Sequence, residues 1–323
     1  MKIAWLFPGQ GTQAVGMGQE LYSGSPAARA VLDLADRTLG FPLTRVLFQG
    51  PAEELQLTIN AQPAIMGVSL ASLAAFREAW IAGGAGEVPR PAFVAGHSVG
   101  EYAALVASGA CDEATGFRLV RARAEATHAA GVERPGSMTA VLGLSRVAVE
   151  EACRKAREEV PGSYVSVANH NAETQVSIAG DSAGLEAAAR YCQAAGARRC
   201  VPLSVSAAFH SDAMRPAAVA LSKAVEMAEI QDAVVPLLAN VNAAPLTEAS
   251  ELRRELVAQV ASPVLWADSM RVMLDAGVGA FLEFGSGQVL TNLLQRLESA
   301  PKAMAVNDPG SARQAVTWLR ELA

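Results

Sequence analysis

Short apolar runs alternate along this chain with longer stretches of helical periodicity. The run at Lys2–Phe7 stops at a Pro-Gly pair, which predicts a buried strand entering a tight loop. A mostly helical region follows to residue 91. Within it, residues 65–80 include few helix-breaking residues and are predicted to form a helix. A second apolar run at 92–95 leads into the segment GHSVG and then into helices over 99–108 and 112–130. This order is typical of a buried, mostly parallel sheet flanked by helices.

The pattern changes after residue 130. A Gly- and Pro-containing segment at 131–137 is a linker by composition. The elements predicted beyond it are a strand at 138–142, a helix at 147–158, strands at 164–168 and 175–179, a helix at 185–195 ending at Gly196, and a strand at 199–205. The order β-α-β-β-α-β is that of a small ferredoxin-like fold.

Helix and strand then alternate again, with a strand at 280–284 and a helix at 288–297. We therefore predict an α/β fold in which a large α/β-hydrolase-like domain with a parallel sheet is interrupted by a ferredoxin-like (βαββαβ) subdomain. The large domain would comprise residues 1–130 and 207–323, and the inserted subdomain would comprise residues 131–206.

The composition of the chain argues against several functional classes. The net charge is -6 and no strongly basic run is present, which argues against a nucleic-acid binder. The four cysteines include no CxxC pair, so no metal site is predicted and we expect buried thiols in a reducing compartment. The chain has no unbroken apolar run of about 18 residues and no signal-peptide pattern. We expect a cytoplasmic protein without a membrane span.

The segment Gly96-x-Ser98-x-Gly100, between a predicted strand and a predicted helix, matches a nucleophile elbow. The turn is so tight that side chains at the two glycine positions would clash with neighbouring backbone. The serine oxygen would then be exposed at a helix N-terminus, where N–H groups stabilise developing negative charge. Alone the motif is only moderately specific, and the flanking elements strengthen it.

A serine nucleophile needs a base, and the chain has four histidines. His97 adjoins the serine on a turn that should point it elsewhere, so we expect it to support the elbow. His128 is expected at the surface late in a helix, and His170 in a loop. His210 follows the strand predicted at 199–205, where α/β enzymes place catalytic loops, and spacing alone ranks it first. Each of the four could instead be a structural histidine.

Several segments, read together in their order and spacing, carry a resemblance that covers nearly the whole chain. These segments are FPGQGTQ at 7–13, QPA at 62–64, GHSVGEY at 96–102, Arg123, AFHS at 208–211, and EFGSG at 283–287. The chain thereby resembles the malonyl-CoA:acyl carrier protein transacylase family, which includes the acyltransferase domains of polyketide synthases.

The resemblance implies a role for each matching residue. Ser98 would be the nucleophile and His210 the general base and later the general acid. A main-chain carbonyl at Gln259, instead of an aspartate, would orient the histidine. The backbone N–H groups of Gln10 and Val99 would form the oxyanion hole.

Substrate-binding residues are implied in the same way. Gln62 would line the pocket, and Arg123 would bind the malonyl carboxylate through its planar guanidinium. From composition alone, an Arg on a helix would be read as a surface charge. Phe209 before the histidine and Val99 after the serine favour malonyl over methylmalonyl, although Ala207-Ala208 depart from many relatives and weaken that choice.

The resemblance implies malonyl-CoA as donor, the phosphopantetheine thiol of an acyl carrier protein as acceptor, and neither cofactor nor metal. We expect a monomer. Arg198 and Arg199 are candidates for the carrier-protein face only because they are adjacent cations near the subdomain boundary, and a solvated charge pair is the more common meaning of such a pattern. A hydrolase that clears carrier proteins and a non-catalytic docking module are the rival functions. The pathway stays open among fatty acid synthesis, polyketide synthesis by an acyltransferase acting in trans, and malonate decarboxylation.

Overall fold

The computed structural model describes residues 1–84, 86–297 and 300–322, and it has the predicted mixed α/β character. The strands are β1 (Lys2–Phe7), β2 (Phe93–Gly96), β3 (Ser137–Leu142), β4 (Val165–Ala172), β5 (Gln175–Gly180), β6 (Arg199–Pro202), β7 (Leu237–Leu238), β8 (Pro245–Leu246), β9 (Val278–Phe284) and β10 (Lys302–Val306).

The helices flank these strands. They are α1 (Gln19–Gly24), α2 (Pro26–Leu39), α3 (Leu43–Gln49), α4 (Ala52–Gln56), α5 (Thr58–Ala82), α6 (Gly100–Ala107), α7 (Glu113–Glu133), α8 (Arg146–Glu159), α9 (Ser182–Ala194), α10 (Arg215–Met227), α11 (Ala249–Ala258), α12 (Trp266–Asp275), α13 (Val289–Leu294) and α14 (Pro309–Leu322).

The main sheet has the strand order β10-β9-β1-β2-β7-β8. Neighbouring strands are parallel from β10 to β7, and only the short β8 runs antiparallel to its partner. Such a sheet must be covered on both faces, which explains why β1 and β9 are apolar along nearly their whole length. In the register of β1 and β2, Phe7 lies opposite Gly96. The loop after β1 and the turn after β2 therefore leave the sheet side by side.

Strands β3 to β6 form a second sheet in the order β4-β5-β3-β6, with antiparallel pairs throughout. Helices α8 and α9 pack on it around a separate apolar cluster that includes Val141, Cys153 and Ile178. The observed order β-α-β-β-α-β is the predicted one, while the domain boundaries at 130 and 206 stay a prediction.

Several predicted element bounds need correction. Helix α7 runs to Glu133, so the proposed linker begins inside a helix, and β6 ends at Pro202 because a proline has no N–H for the sheet. His170, predicted in a loop, lies in β4. His170 is paired with Val176 of β5, and its N–H also donates to the Val264 carbonyl at 2.8 Å, so β4 has partners on both sides at this point.

Helix α5 is the central helix of the large domain. By length and composition it is, within the described part of the chain, the one helix that could cross a membrane, yet 83% of its apolar window is buried inside the protein. It packs against α2, α7 and α14, and it is apolar all round because neighbours surround it. Its apolar character is thus explained by the protein core.

Candidate active site

The turn between β2 and α6 is too tight for any residue but glycine at two positions. A Cβ on Gly96 would lie 2.0 Å from the Gly100 carbonyl carbon, and a Cβ on Gly100 would lie 2.2 Å from the Phe7 carbonyl oxygen. Between them, Ser98 has a φ of 53°, in the left-handed region that an ordinary side chain rarely occupies. The predicted elbow is present, with its serine at the amino end of α6.

His210 meets this serine from a distant part of the chain. Its Nε2 lies 2.7 Å from Ser98 Oγ, and its Nδ1 lies 3.0 Å from the Gln259 carbonyl oxygen and 3.2 Å from that of Ser262. Because carbonyl oxygens only accept, Nδ1 must carry the proton and Nε2 is left to accept the serine proton. His210 too has a left-handed φ, of 59°.

The surroundings keep this imidazole neutral. His210 is only 3% exposed, and burial, with the nearby Arg123 charge as the second cause, lowers its pKa to about 3. The two carbonyl acceptors oppose the shift only in part. A neutral imidazole at neutral pH is the form that a general base requires.

Arg123 lies on α7, buried next to the same serine with 2% of its surface exposed. Its Nη1 donates to Gln62 Oε1 at 2.7 Å, and its Nη2 lies 3.1 Å from both Ser98 Oγ and Gln259 Oε1. The guanidinium also lies over the Tyr102 ring, at 5.6 Å from its centroid. Neutral oxygens therefore hold a cation directly against the nucleophile.

The acidic groups nearest this cation are Tyr102 and Glu101, and their proximity favours its charged form. Among the described residues no carboxylate lies within salt-bridge distance of Arg123, and its Nε has no hydrogen-bond partner. Burial lowers the pKa of Arg123, because the charged form of the guanidinium is less stable in the protein interior than in water. A buried guanidinium with an unpaired N–H keeps one hydrogen-bond donor unused, and leaving such a donor unpaired costs free energy.

The two predicted oxyanion donors lie on the adjacent loops. Val99 is fully buried at the start of α6, and Gln10 follows Gly9, where a Cβ would lie 2.6 Å from the His97 carbonyl oxygen. The loop after β1 thus packs directly on the elbow. Within the described residues, the backbone hydrogen bonds include none from the Val99 or Gln10 N–H. Their role as an oxyanion hole stays a prediction with this support.

Gln62 and Phe209 occupy the remaining predicted positions. Gln62 is fully buried within α5, and its Nε2 donates to Thr127 Oγ1 at 3.1 Å, which fixes its Oε1 toward Arg123. It thus orients the guanidinium from inside the helix. Phe209 is 7% exposed, packs in the main core cluster and precedes the base in sequence.

The other histidines lie where they cannot act on Ser98 Oγ. His97 Nε2 lies 2.8 Å from Asn171 Oδ1, and its ring packs on Trp266 at 5.4 Å between centroids, so it supports the elbow as expected. His128 is exposed on α7. His170 contacts Asp268, with 3.3 Å between Nδ1 and Oδ2.

Two buried polar residues of the site were missed by the sequence analysis. Asn240 Oδ1 accepts the Ser98 N–H at 2.7 Å, and Asn240 Nδ2 donates to the Gly96 carbonyl at 2.7 Å. Glu101, inside the elbow motif but without an assigned role, accepts from Asn240 and Gln259. The available signal for Asn240 was a polar residue shortly after the buried β7, since the ends of parallel strands meet at one edge.

No group of three or more His, Cys, Asp or Glu side chains within the described ranges is arranged to hold a metal ion. The cysteines are all free thiols. Burial raises the pKa of Cys111 and of Cys153 to about 12, so both stay protonated.

Comparison with known proteins gives a consistent result. The family model described as "Acyl transferase domain" matches residues 4–319. The chain is 41% identical over 320 residues to the malonyl CoA-acyl carrier protein transacylase of Bacillus subtilis, covering 99% of this chain and 98% of the relative. It is also 40% identical over 294 residues to a polyketide biosynthesis protein of Burkholderia thailandensis, covering 91% of this chain and 24% of that protein.

Among solved structures, one described as a type II polyketide synthase acyl-carrier protein in complex with its malonyl-transacylase superposes with a TM-score of 0.91. The identity is 36%, and the match covers 98% of this chain and 99% of the solved one. The agreement in sequence and in shape extends over the large domain and the small sheet together.

Proposed function

The chain belongs to the acyl transferase domain family, and from that premise we propose that it moves a malonyl group from malonyl-CoA to the phosphopantetheine thiol of an acyl carrier protein. The relatives that match over the full length carry that activity in their names. The observation that carries the proposal for this chain is Arg123, a buried guanidinium without a carboxylate partner among the described residues, 3.1 Å from the nucleophile's oxygen.

A malonyl thioester ends in the carboxylate that this cation lacks. Docking of that carboxylate against Arg123 replaces the contact with Ser98 Oγ and brings the thioester carbonyl beside the serine. A charge-assisted pair of this kind contributes about 1.5–3 kcal/mol, which selects malonyl over acetyl by roughly ten- to a hundredfold. A hydrolase for simple acyl thioesters would have no use for such a cation.

In the first half-reaction, His210 Nε2 takes the proton from Ser98 Oγ as the oxygen bonds to the thioester carbonyl carbon. The negative charge moves to the carbonyl oxygen, where the Val99 and Gln10 N–H groups donate to it. The carbon–sulfur bond then breaks, and His210 returns the proton to the departing CoA sulfur. A malonyl-serine ester and free CoA result.

In the second half-reaction the carrier thiol gives its proton to His210 and attacks the ester carbon. The carbon–oxygen bond breaks, and Ser98 recovers the proton from His210. The Gln259 and Ser262 carbonyls hold the ring through both steps without a charge of their own. The proposed steps use no metal and no bound redox cofactor.

The finer assignments are part of the same proposal. Phe209, buried before the base, and Val99 leave little room for a 2-methyl branch, so malonyl is favoured over methylmalonyl. Arg198 and Arg199 are exposed at the start of β6, and we assign them to the face that meets an acidic carrier protein. We propose a cytoplasmic monomer serving fatty acid or polyketide synthesis.

The test is intact-mass spectrometry after brief mixing with malonyl-CoA, followed by addition of a carrier protein. We expect a malonyl adduct on the wild type that passes to the carrier, no adduct on Ser98→Ala and a weak one on Arg123→Ala. Arg121→Ala is the matched control, since Arg121 lies on the same helix but pairs with Glu125 at the surface. Release of free malonate in place of transfer would identify a hydrolase, and no adduct at all would overturn malonyl-CoA as the donor.

A further inference from the structure

Beneath the nucleophile lies a buried carboxyl group that the mechanism does not use. Glu101, in the first turn of α6, has no solvent exposure. Its Oε1 accepts from the Asn240 main-chain N–H and from Asn240 Nδ2, both at 2.9 Å, and its Oε2 accepts from Gln259 Nε2. In these three hydrogen bonds Glu101 is the acceptor, and the Glu255 carboxyl is a further neighbour of its side chain.

Asn240 and Gln259, the two partners of Glu101, each make further hydrogen bonds to other residues of the site. Asn240 accepts the Ser98 N–H and donates to the Gly96 carbonyl, so it holds the backbone on both sides of the strained serine. Gln259 donates its other N–H to the Ser98 carbonyl at 2.8 Å and accepts from Arg123, while its own carbonyl holds His210. Both routes begin at Glu101, and both also reach the backbone of Ser98, one at its N–H and the other at its carbonyl.

From this junction we propose that Glu101 is a positioning residue for acyl transfer, which orients the Ser98 turn through Asn240 and the substrate-binding Arg123 through Gln259. This inference rests on the proposed function. Glu101 touches neither the reacting atoms nor Arg123 at hydrogen-bond distance, so it acts through the two amide side chains.

The charged and titratable groups around Glu101 come from several elements. Glu255 on α11 is 6% exposed and accepts the Val241 N–H at 3.0 Å, Arg123 approaches from α7, and Tyr102 lies on the same helix. Burial, with repulsion from the Glu255 charge as the second cause, raises the pKa of Glu101. Burial likewise raises the pKa of Glu255, so the pair retains a proton to higher pH than a free carboxyl group would.

The amide variant Glu101→Gln isolates the role because it keeps size and shape. An amide offers one acceptor oxygen in place of two, and its NH2 group would face the donors of Asn240 or Gln259. At least one route must therefore lose its hydrogen bond. We expect acylation of Ser98 by acetyl-CoA to fall about tenfold and acylation by malonyl-CoA about a hundredfold, because only malonyl also depends on Arg123.

Asn240→Ala removes one route and leaves the other. It should slow acylation by both donors about tenfold and leave the malonyl-to-acetyl ratio unchanged. Glu283→Gln is the matched control, since Glu283 is also a buried acceptor, 1% exposed, but it receives the N–H groups of Leu290 and Thr291 at the start of α13. It should lower the free energy of unfolding without changing the rates per folded enzyme.

The experiment measures adduct formation on Ser98 by intact mass with each donor, normalised to folded enzyme. A lower malonyl-to-acetyl ratio in Glu101→Gln, unchanged in Asn240→Ala and Glu283→Gln, supports the proposal. Rates within threefold of wild type in folded Glu101→Gln, or an unchanged ratio, overturn it.

If Glu101→Gln fails to fold, the acylation rates of Asn240→Ala with the two donors test the proposal instead. Slower acylation by both donors at a constant ratio supports the positioning route to Ser98, and rates within threefold of wild type overturn it. A wild type that forms no malonyl adduct would instead refute the proposed function, so the two failures are distinguishable.

Discussion

Charged side chains lie in opposite surroundings in the small sheet and around Ser98. On α8, Arg154 pairs with Glu151 and Glu158, and all three side chains are 47–65% exposed. Around Ser98, Arg123 and Glu101 are at most 2% exposed, and no salt bridge joins them within the described residues. Exposed pairs are screened by water and contribute little, whereas buried charges are costly unless something uses them. Two ionisable side chains beside Ser98 therefore bear the cost of burial, whereas those on α8 remain solvated.

The largest effect is expected when the proposed general base, His210, is removed. His210→Ala should slow formation of the malonyl-serine ester on the order of 10⁴-fold, because the serine then has no proton acceptor. His128→Ala, an exposed histidine on α7, is the control and should react at the wild-type rate. Rapid-mixing mass spectrometry measures both, and a loss below tenfold in His210→Ala would assign the base to another group.

The next effect concerns backbone packing at the elbow. Gly100→Ala should lower the free energy of unfolding by about 3 kcal/mol or more, because its Cβ would overlap the Phe7 carbonyl. Gly162→Ala, near the small sheet, meets no atom within 4 Å but has a φ of 85°, and should cost only about 1 kcal/mol of backbone strain. Urea unfolding compares the two. Equal losses would mean that the elbow can relax around an added methyl group.

A smaller effect is expected when the cation at Arg123 is changed. Arg123→Lys keeps the charge but loses the planar fork that contacts Gln62, Gln259 and Ser98 together. We expect the preference for malonyl over acetyl to fall roughly ten- to a hundredfold, measured by competing the two CoA esters. An unchanged preference would show that charge without geometry is sufficient.

The pH dependence sharpens the contrast between buried and exposed groups. Since burial lowers the pKa of His210 to about 3, the base stays unprotonated as pH falls, and protonation removes it only near that value. Ester formation should therefore be flat from about pH 8 to about pH 5, whereas an ordinary histidine would lose about thirtyfold over that range. A midpoint near pH 6.5 in single-turnover rates would contradict the depressed pKa.

The smallest effect lies in the small sheet. Arg154→Ala should leave both the urea midpoint and the acylation rate unchanged within error, because its partners are solvated. A clear loss of stability would mean that this exposed cluster contributes more than its surroundings suggest.

The sequence analysis was informative where the signal is local. The elbow could be predicted because its glycines, serine, strand and helix are contiguous, and the β-α-β-β-α-β order because turn residues separate each element. The family resemblance supplied Arg123, which composition alone would have left at the surface.

Long-range hydrogen bonds were beyond such reasoning. Asn240 lies more than a hundred residues from the serine whose N–H it accepts, and no spacing rule links them. His170 was misplaced in a loop because Asn-His-Asn is unusual in a strand, and its pairing with Val176 and its hydrogen bond to Val264 both involve residues distant from it or across a turn. Polar residues that are satisfied by distant partners are the ones that local propensity misassigns.

The central helix α5 has a consequence for how this protein would lose its folded structure on heating. Its 25 residues have the hydropathy of a membrane span, and only the packing of neighbouring helices hides them. A chain that opens around α5 therefore exposes a long apolar surface, and molecules in that state associate with one another faster than they close again. We therefore expect the lifetime of the enzyme on heating to follow the rate at which this helix first becomes exposed, and not the equilibrium between folded and unfolded chains.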